Sequence, residues 1–355
     1  MSAPSVFCRM PCACERLPDR PTSDDTRLVL SVRFDHTRAK LVMLLRETAQ
    51  TFTVDGKIVT VEIADTALSE LLARLERGLT TAEHGAIRAV VLDAGTAPSI
   101  EDYLRATDLS RLISFVRSRW LLAALAEHTP ISFFQPIFDA RTGAVFAREA
   151  LLRVERDGNF IGPGEAFRAA SDQDMTQYLD RVARETAIAS AARGGVRENI
   201  FVNFLPSAIY DPRTCLATTV RALETHGIPH ERVVFEVVES DRIHDANHLR
   251  DIIDSYRARG FRVALDDLGA GYSSFTLLAR LRPDFVKLDM ELVRDVDRDS
   301  FKAVLASKLI DAAKDLGIAI IAEGIEREEE HAWMREHGVE YVQGFLLGRP
   351  ELLLG

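Results

Sequence analysis

The 355-residue sequence contains no run of about 18 apolar residues, so it predicts no membrane-spanning helix. Its start does not show the charged-then-apolar pattern of a secretion signal, and we therefore expect a cytoplasmic location. Only four cysteines are present, and three of them, Cys8, Cys12 and Cys14, are close together at a spacing that matches no standard zinc site. These three favour a reduced, loosely ordered segment, with metal or redox sensing as the alternative.

Positive charge is also scarce. Lys and Arg total 44 against 54 Asp and Glu, which gives a net charge of -10. Direct DNA binding is therefore not expected, because phosphate contacts need clustered basic side chains. A nucleotide substrate stays compatible with this charge, since bound metal ions can supply positive charge locally. The apolar fraction of 47% is typical of a globular protein with an ordinary core.

The chain divides into three predicted regions. Residues 1–108 predict a small sensory or regulatory α+β unit, in which 1–25 are loosely ordered. Apolar residues at spacings of three and four over 109–127 predict one connector helix, which ends by residue 128. It either packs on the following domain or relays a signal between domains or subunits. The elements expected in the first region are a strand at 28–34, a helix at 37–50, a hairpin turning at Asp55-Gly56, a helix at 67–79 and a strand at 87–92.

Residues 129–355 predict an α/β barrel. The first two strand-like segments are separated by only the five residues 139–143, too few for a parallel crossover, so they predict an antiparallel hairpin. The other gaps are long enough for helices, which predicts parallel pairing through right-handed crossovers. The fold class is therefore a TIM-like eight-stranded barrel with one reversed strand, preceded by the α+β unit. Its strands are predicted at 131–138, 145–151, 199–204, 232–238, 262–268, 285–289, 318–323 and 341–347.

Acidic or amide residues occupy the C-terminal ends of five of these strands. They are Glu149, Asn203, Glu236, the pair Asp266-Asp267, and Glu323. Strand ends of a barrel meet at one rim, and oxygen ligands suit hard divalent cations. A single strand-end acid is more often a solvated cap, but Asp266-Asp267 follows an apolar strand and precedes a glycine loop. Lys287 lies between apolar neighbours and needs acidic partners. The pattern predicts a metal-dependent hydrolase.

The motifs around these residues resemble those of the EAL family of cyclic-di-GMP phosphodiesterases. The tripeptide Glu149-Ala150-Leu151, followed by Leu152-Arg153, is similar to the opening motif of that family. The resemblance covers about residues 131–350. The other matching motifs, in family order, are Gln135-Pro136, Asn203, the segment from Phe235 to Ser240, the segment from Leu265 to Ser274, Lys287-Leu288-Asp289, the segment from Ala322 to Glu326, and Gln343-Gly344-Phe345.

The resemblance implies hydrolysis of cyclic-di-GMP to linear pGpG by a homodimer with two Mg²⁺ or Mn²⁺ ions per site. One ion would be held by Glu149, Asn203, Glu236 and Asp266, and the other by Asp266, Asp267 and Glu323. The implied catalytic residues are Glu149, Asp266, Asp267, Glu323 and Lys287, the last touching the attacking water or the phosphate. The implied substrate contacts are Gln135, Leu152, Arg153, Asn203 and Gln343. The implied supporting residues are Glu239, Gly269, Gly271, Asp289 and Glu326, of which Glu326 has a helix N-terminal position as its alternative.

Several positions depart from the family pattern. Val154-Glu155-Arg156-Asp157 stands where the family usually has an aromatic residue and a His-Pro pair, and Leu268 stands where Phe is commoner. None of these departures removes a predicted metal ligand. The alternative function is a barrel that binds the nucleotide or a protein partner without hydrolysis. A third possibility is an enzyme that acts on another cyclic dinucleotide or on a linear phosphodiester.

Overall fold

The computed structural model describes residues 25–238, 246–269 and 274–353. The described residues form two compact units, one with residues 25–127 and 167–175, the other with 128–166 and 176–353. Within this part of the chain, no helix combines the length and the apolar character needed to cross a membrane. The functional boundaries expected at residues 108 and 128 stay predictions.

The first unit contains a five-stranded antiparallel sheet with strand order β2-β3-β1-β4-β5. Its hairpin turns at Gly56, whose φ of 56° suits glycine, as the sequence predicts. Alternate residues of β3 face helix α2, so that Val59, Val61 and Ile63 pack with its leucines. The strands are β1 (Asp25–Val32), β2 (Thr51–Asp55), β3 (Ile58–Ala64), β4 (Ile87–Asp93) and β5 (Thr107–Asp108). The helices are α1 (Asp35–Arg46), α2 (Asp65–Gly78), α3 (Thr81–Gly85), α4 (Ile100–Arg105), α5 (Leu109–Arg117) and α6 (Trp120–Ala126).

The single connector helix predicted over 109–127 is wrong, because the structure has two helices, α5 and α6, with a break at Ser118-Arg119. The Ser118 hydroxyl donates a hydrogen bond to Asp172 (2.8 Å), and Arg119 pairs with Asp65 (2.7 Å). These tertiary partners fix the turn, while the apolar spacing continues across it unchanged. Spacing alone therefore could not reveal the break.

The second unit contains a closed barrel of eight strands, which confirms the predicted fold class. Going round the barrel, the order is β6-β14-β13-β12-β11-β10-β9-β7, and β7 pairs again with β6. Strand β6 is antiparallel to both neighbours and the remaining pairs are parallel, so β6 is the reversed strand. The strands are β6 (Pro130–Asp139), β7 (Val145–Arg156), β9 (Asn199–Phe204), β10 (Val233–Val238), β11 (Arg262–Leu268), β12 (Phe285–Leu288), β13 (Ala319–Ala322) and β14 (Tyr341–Val342).

Two further differences from the predicted strands concern the barrel rim. A short strand β8 (Asn159–Ile161) forms an antiparallel hairpin with the end of β7, which extends to Arg156. The last predicted strand is wrong beyond Val342, because the chain turns away at Gly344. The helices from residue 163 onward are α7 (Pro163–Asp172), α8 (Thr176–Arg193), α9 (Pro212–Cys215), α10 (Ala217–His226), α11 (Ala246–Arg257), α12 (Ser274–Leu281), α13 (Met290–Val293), α14 (Ser300–Asp315) and α15 (Glu328–Glu336).

The barrel interior contains an apolar layer that places the polar residues of the rim. Each member of this layer lies two positions from a residue singled out in the sequence, so both side chains share the inner face of their strand. Phe285, for example, precedes Lys287 by two residues on β12. The layer consists of Ile137, Ala147, Phe201, Val234, Ala264, Phe285 and Ile321. It fills the barrel below the rim, so the polar residues form the next layer upward.

Candidate active site

Lys287 lies at the centre of the polar layer and is 1% exposed. Its Nζ is 2.6 Å from Glu323 Oε1 and 2.8 Å from Glu236 Oε1. It is also 3.5 Å from a carboxylate oxygen of both Glu149 and Asp266. Burial by itself lowers the pKa of Lys287, but these four carboxylates outweigh it and raise that pKa well above its usual value. The four carboxylates therefore favour the charged form of Lys287.

Glu149 is the best-satisfied carboxylate of the cluster. Asn203 Nδ2 donates to its Oε1 (3.1 Å), and Gln343 Nε2 donates to its Oε2 (2.8 Å). Burial by itself raises the pKa of Glu149, but Lys287 and the two amides outweigh burial, so that pKa is lowered. The structure thus brings residues from β7, β9, β12 and the end of β14 into direct contact.

Glu236 and Glu323 are less well compensated. Burial raises the pKa of Glu236 well above its usual value, and burial raises the pKa of Glu323 to about 8, with Lys287 opposing both only in part. Glu236 Oε1 is paired with Lys287 Nζ at 2.8 Å, whereas its buried Oε2 accepts no hydrogen bond from a described residue. One ammonium group cannot balance several buried carboxylates. The unpartnered Oε2 of Glu236 and the acidic surroundings fit a site for hard divalent cations.

Asp266 and Asp267 share the rim because β11 is irregular. Adjacent strand residues normally face opposite sides, but one extra residue is inserted in β11 relative to β12 between Leu265 and Leu268. Asp267 has a left-handed φ of 56°, which is uncommon for a residue other than glycine. As a result, Asp266, Asp267 and Glu323 each place a carboxylate oxygen within 4.8 Å of the others.

Two glycines, whose role the sequence alone did not show, hold the loops that carry Glu323 and Gln343. A Cβ at Gly344 would overlap the backbone of Ile325, and one at Gly324 would overlap Met290. The close approach allows Ile325 N to donate to Gln343 O (3.1 Å). Gly324 also has a φ of 67°, which disfavours other residues. The sequence shows that both glycines lie within the motifs, but it does not show which loop packs against each of them.

Glu330, another residue that the sequence did not single out, holds the backbone of the segment that follows Glu323. Its buried carboxylate accepts hydrogen bonds from the backbone N–H groups of Glu326 (3.1 Å), Arg327 (3.1 Å) and Asp295 (3.0 Å). Burial raises its pKa, but these bonds outweigh burial and lower it. Glu330 therefore ties the loop after Glu323 to the segment that follows Lys287.

The predicted substrate contacts are distributed around the cluster. Gln135 pairs with Glu149 across β6 and β7, and its Nε2 donates to Gly348 O (3.1 Å). The Arg153 guanidinium lies on the same face of β7 as Glu149, stacked over Phe133. The Leu152 side chain is buried on the opposite face, so a substrate contact there would have to use its backbone. These substrate roles stay predictions.

Three of the predicted supporting residues, Gly269, Asp289 and Glu326, are described by the structure and lie outside the polar layer. Gly269 has a φ of 110° and follows β11 directly. Asp289 caps α13 by accepting from Glu291 N (2.8 Å), and Glu326 pairs with Arg294 (3.0 Å). Glu326 precedes α15 and is not in its first turn. Glu239 and Gly271 lie outside the described residues.

A buried ion pair behind Asn203 was also absent from the sequence prediction. Arg184 donates from Nε (3.0 Å) and Nη2 (2.9 Å) to Asp180 Oδ2, and Asp180 Oδ1 accepts from Leu205 N (2.9 Å). Both side chains are 2% exposed. The spacing of four residues between them on helix α8 is the sequence feature that could have indicated this ion pair. The pair anchors the backbone two residues after Asn203.

The chain matches one family model and several curated proteins. A family model described as EAL domain matches residues 118–350. The probable cyclic di-GMP phosphodiesterase PdeA of Escherichia coli is 28% identical over 58% of this chain and 28% of its own length. The bifunctional diguanylate cyclase/cyclic di-GMP phosphodiesterase MucR of Pseudomonas aeruginosa is 32% identical over 65% of this chain and 34% of its own length. The chain thus spans about a third of these curated relatives.

Solved structures agree with the barrel. A standalone EAL protein from Vibrio cholerae O395, in a form bound to cyclic-di-GMP, is 35% identical with a TM-score of 0.57. It covers 63% of this chain and 93% of its own. BlrP1 of Klebsiella pneumoniae, in a manganese and cyclic-di-GMP complex, covers 92% of this chain and 96% of its own, with a TM-score of 0.57. Its identity of 23% makes that likeness one of fold alone.

Proposed function

This chain belongs to the EAL domain family, and we propose that its barrel hydrolyses one phosphodiester bond of cyclic-di-GMP to give linear pGpG. The observation that carries the proposal is the charge imbalance at the rim. Five carboxylates, those of Glu149, Glu236, Asp266, Asp267 and Glu323, accompany the single ammonium group of Lys287. Relatives named as cyclic-di-GMP phosphodiesterases support this choice of substrate.

Two divalent cations, Mg²⁺ or Mn²⁺, would balance the four negative charges that Lys287 leaves. Their proposed holders are Glu149, Asn203, Glu236 and Asp266 for one ion, and Asp266, Asp267 and Glu323 for the other. When bound, such ions supply a nucleophile from water near neutral pH and stabilise the charge that develops on the phosphate. The buried Glu236 Oε2, which has no hydrogen-bond donor among the described residues, supports this assignment.

The chain's own residues would position the substrate. Lys287, whose charged form its four carboxylates favour, would act as a positive charge and a hydrogen-bond donor toward the attacking water or the phosphate. Arg153 presents a planar fork that suits a phosphate oxygen. Gln343 Oε1 is buried and accepts no hydrogen bond from the described residues, so a guanine N–H group could reach it only if the side chain moved. Its amide nitrogen meanwhile orients Glu149.

We also propose that the chain works as a homodimer and that residues 1–108 regulate the barrel. Helix α14 exposes an apolar stripe of Phe301 (74% exposed), Val304 and Leu305. An exposed stripe of this kind is typical of a protein interface. A monomeric mass for the wild type in sedimentation would contradict the homodimer, and Phe301→Asp should dissociate it. A cytoplasmic location and the absence of DNA binding stay predictions.

Turnover by the purified full chain tests the proposed function. Cyclic-di-GMP is incubated with Mg²⁺ or Mn²⁺, and the products are resolved by chromatography; pGpG should form. Calcium should bind but support little turnover, because its coordination geometry is looser. Glu149→Gln should lose at least about 100-fold, since it removes an anionic ligand at nearly constant shape. The matched control Glu185→Gln, on helix α8, should retain activity. Binding without pGpG in both metals would instead identify a receptor.

A further inference from the structure

Strands β6, β7 and β8 place two phenylalanine rings and a guanidinium group together at the barrel rim. The Phe133 and Phe160 rings meet edge to face, with centroids 5.2 Å apart at 63°. The Arg153 guanidinium lies 5.3 Å from the Phe133 centroid. This cluster of Phe133, Arg153 and Phe160 is here called the rim platform, and Phe160 follows the segment 154–157, where the sequence departs from the family pattern. None of the predicted site residues apart from Arg153 belongs to it.

Strand register connects the rim platform to the acidic cluster. Phe133 pairs with Leu151, and two residues along the same strands Gln135 pairs with Glu149. The two pairs are therefore about 7 Å apart along the strand, and they share one face of the sheet. Phe160 pairs with Glu155, two positions beyond Arg153, so it also lies on that face. The rim platform thus continues from the acidic cluster toward solvent.

Phe160 remains partly open to solvent although it packs against Phe133. Its edge contact with Phe133 uses only part of the ring, and 48% of the residue stays exposed. An exposed aromatic ring next to the Phe133–Arg153 pair has the chemistry that recognises a nucleotide, because a guanidinium group can bind a phosphate and an aromatic ring can stack on a base. Stacking tolerates any base but is strongest over large ring systems.

We propose that the Phe160 ring stacks on one guanine of cyclic-di-GMP while Arg153, held over Phe133, contacts the adjoining phosphate. This inference rests on the proposed function for the identity of the ligand. It goes beyond that function by assigning Phe133 and Phe160, two residues outside the motifs, to substrate binding. The β7–β8 hairpin then contributes affinity and not bond cleavage.

Two variants of the full chain separate stacking from simple packing. Phe160→Leu keeps an apolar side chain of similar size but has no aromatic face, whereas Phe160→Tyr keeps the face. The dissociation constant of cyclic-di-GMP is measured by calorimetry in Ca²⁺, and KM and kcat are measured in Mg²⁺. Phe160→Leu should raise the dissociation constant and KM about tenfold with kcat within about twofold, and Phe160→Tyr should resemble the wild type. Thermal unfolding should be the same for all three.

The outcomes distinguish this inference from the proposed function. Equal dissociation constants for the wild type and Phe160→Leu overturn the rim platform, whether or not the wild type forms pGpG. Equal weakening by Leu and Tyr also overturns it, because the ring would then matter only as packing. Weaker binding by Phe160→Leu alone, in a wild type without turnover, supports the rim platform and rejects the hydrolase. A wild type that does not bind cyclic-di-GMP rejects both.

Discussion

Two clusters of buried charge lie in the same barrel unit and are built on opposite principles. At Arg184, one guanidinium meets one carboxylate, Asp180, whose other oxygen accepts a backbone N–H group. At Lys287, one ammonium group meets four carboxylates within 3.5 Å. The first cluster balances itself with groups of the chain, and the second does not. Equal burial therefore accompanies very different electrostatic costs.

The difference separates a structural ion pair from a binding site. A buried pair with complete hydrogen bonding can persist without any ligand, although it gives little net stability. A surplus of buried carboxylates is unfavourable unless something else supplies positive charge, and such strained electrostatics are typical of functional sites. We interpret the Lys287 cluster as a functional site, where an unfavourable surplus of buried carboxylates is retained because the chemistry requires it.

Breaking the balanced cluster should have the largest effect on stability. Arg184→Met leaves Asp180 buried without its cation, so the free energy of unfolding should fall by about 3–5 kcal/mol. Chemical denaturation followed by circular dichroism measures the change. The double variant Arg184→Met/Asp180→Leu should recover most of the loss, because it removes both charges. A single-variant loss below about 1 kcal/mol would show that the pair is dispensable.

Supplying the missing charge should stabilise the unbalanced cluster. Mg²⁺ or Mn²⁺ at a hundredfold excess over the dissociation constant should add about 2.7 kcal/mol to the stability of the barrel. Differential scanning calorimetry with and without a chelator measures the shift. Asp267→Asn should reduce it strongly, whereas Arg88→Gln, at a surface pair of the first unit, should not. An undiminished shift in Asp267→Asn would argue against cation binding at the rim.

Removing one surplus carboxylate should have the smallest effect on the free energy of unfolding. The direction of the change should differ between the two clusters. In a chelator, Glu236→Gln should raise the free energy of unfolding by about 1 kcal/mol, because burial and the neighbouring carboxylates disfavour the charged form of Glu236 in the folded protein, and a neutral amide avoids that cost while Lys287 keeps three carboxylate partners. Asp180→Asn under the same conditions should lower it, since Arg184 loses its counter-charge. Thermal unfolding of both variants beside the wild type gives the comparison. Destabilisation by Glu236→Gln would mean that the cluster is already balanced.

The predictable part of the site follows from the two-residue period of a strand. Because Phe285 and Lys287, or Ile321 and Glu323, must share a face, an apolar residue two positions earlier marks the polar one as inward-facing. The sequence therefore indicated the right strands, the reversed β6 and the rim on which the acids meet. The break between α5 and α6 was not predictable, because Asp172 and Asp65, which fix it, are distant in sequence.

The same limit applies within the site itself. Alternation would have placed Asp266 and Asp267 on opposite faces, and only the extra residue in β11, measured against β12, brings both to the rim. Glu330 and the Asp180–Arg184 pair act through backbone groups of other segments, so no local pattern marks them. Gly324 and Gly344 belong to motifs that the sequence shows, but only the structure shows that a neighbouring loop leaves no room for a side chain at either position.

The sequence by itself determined the barrel, the family resemblance and the identity of the rim residues, because strand period and motif order are properties of the chain. Tertiary structure alone decided how charge is distributed among those residues. Glu149 accepts hydrogen bonds from two amide groups, whereas Glu236 has only Lys287 beside one of its oxygens, and this difference depends on which side chains from other parts of the barrel lie within about 3 Å. Burial and pairing are properties of the packed molecule, and they turn a row of strand-end acids into a candidate active site.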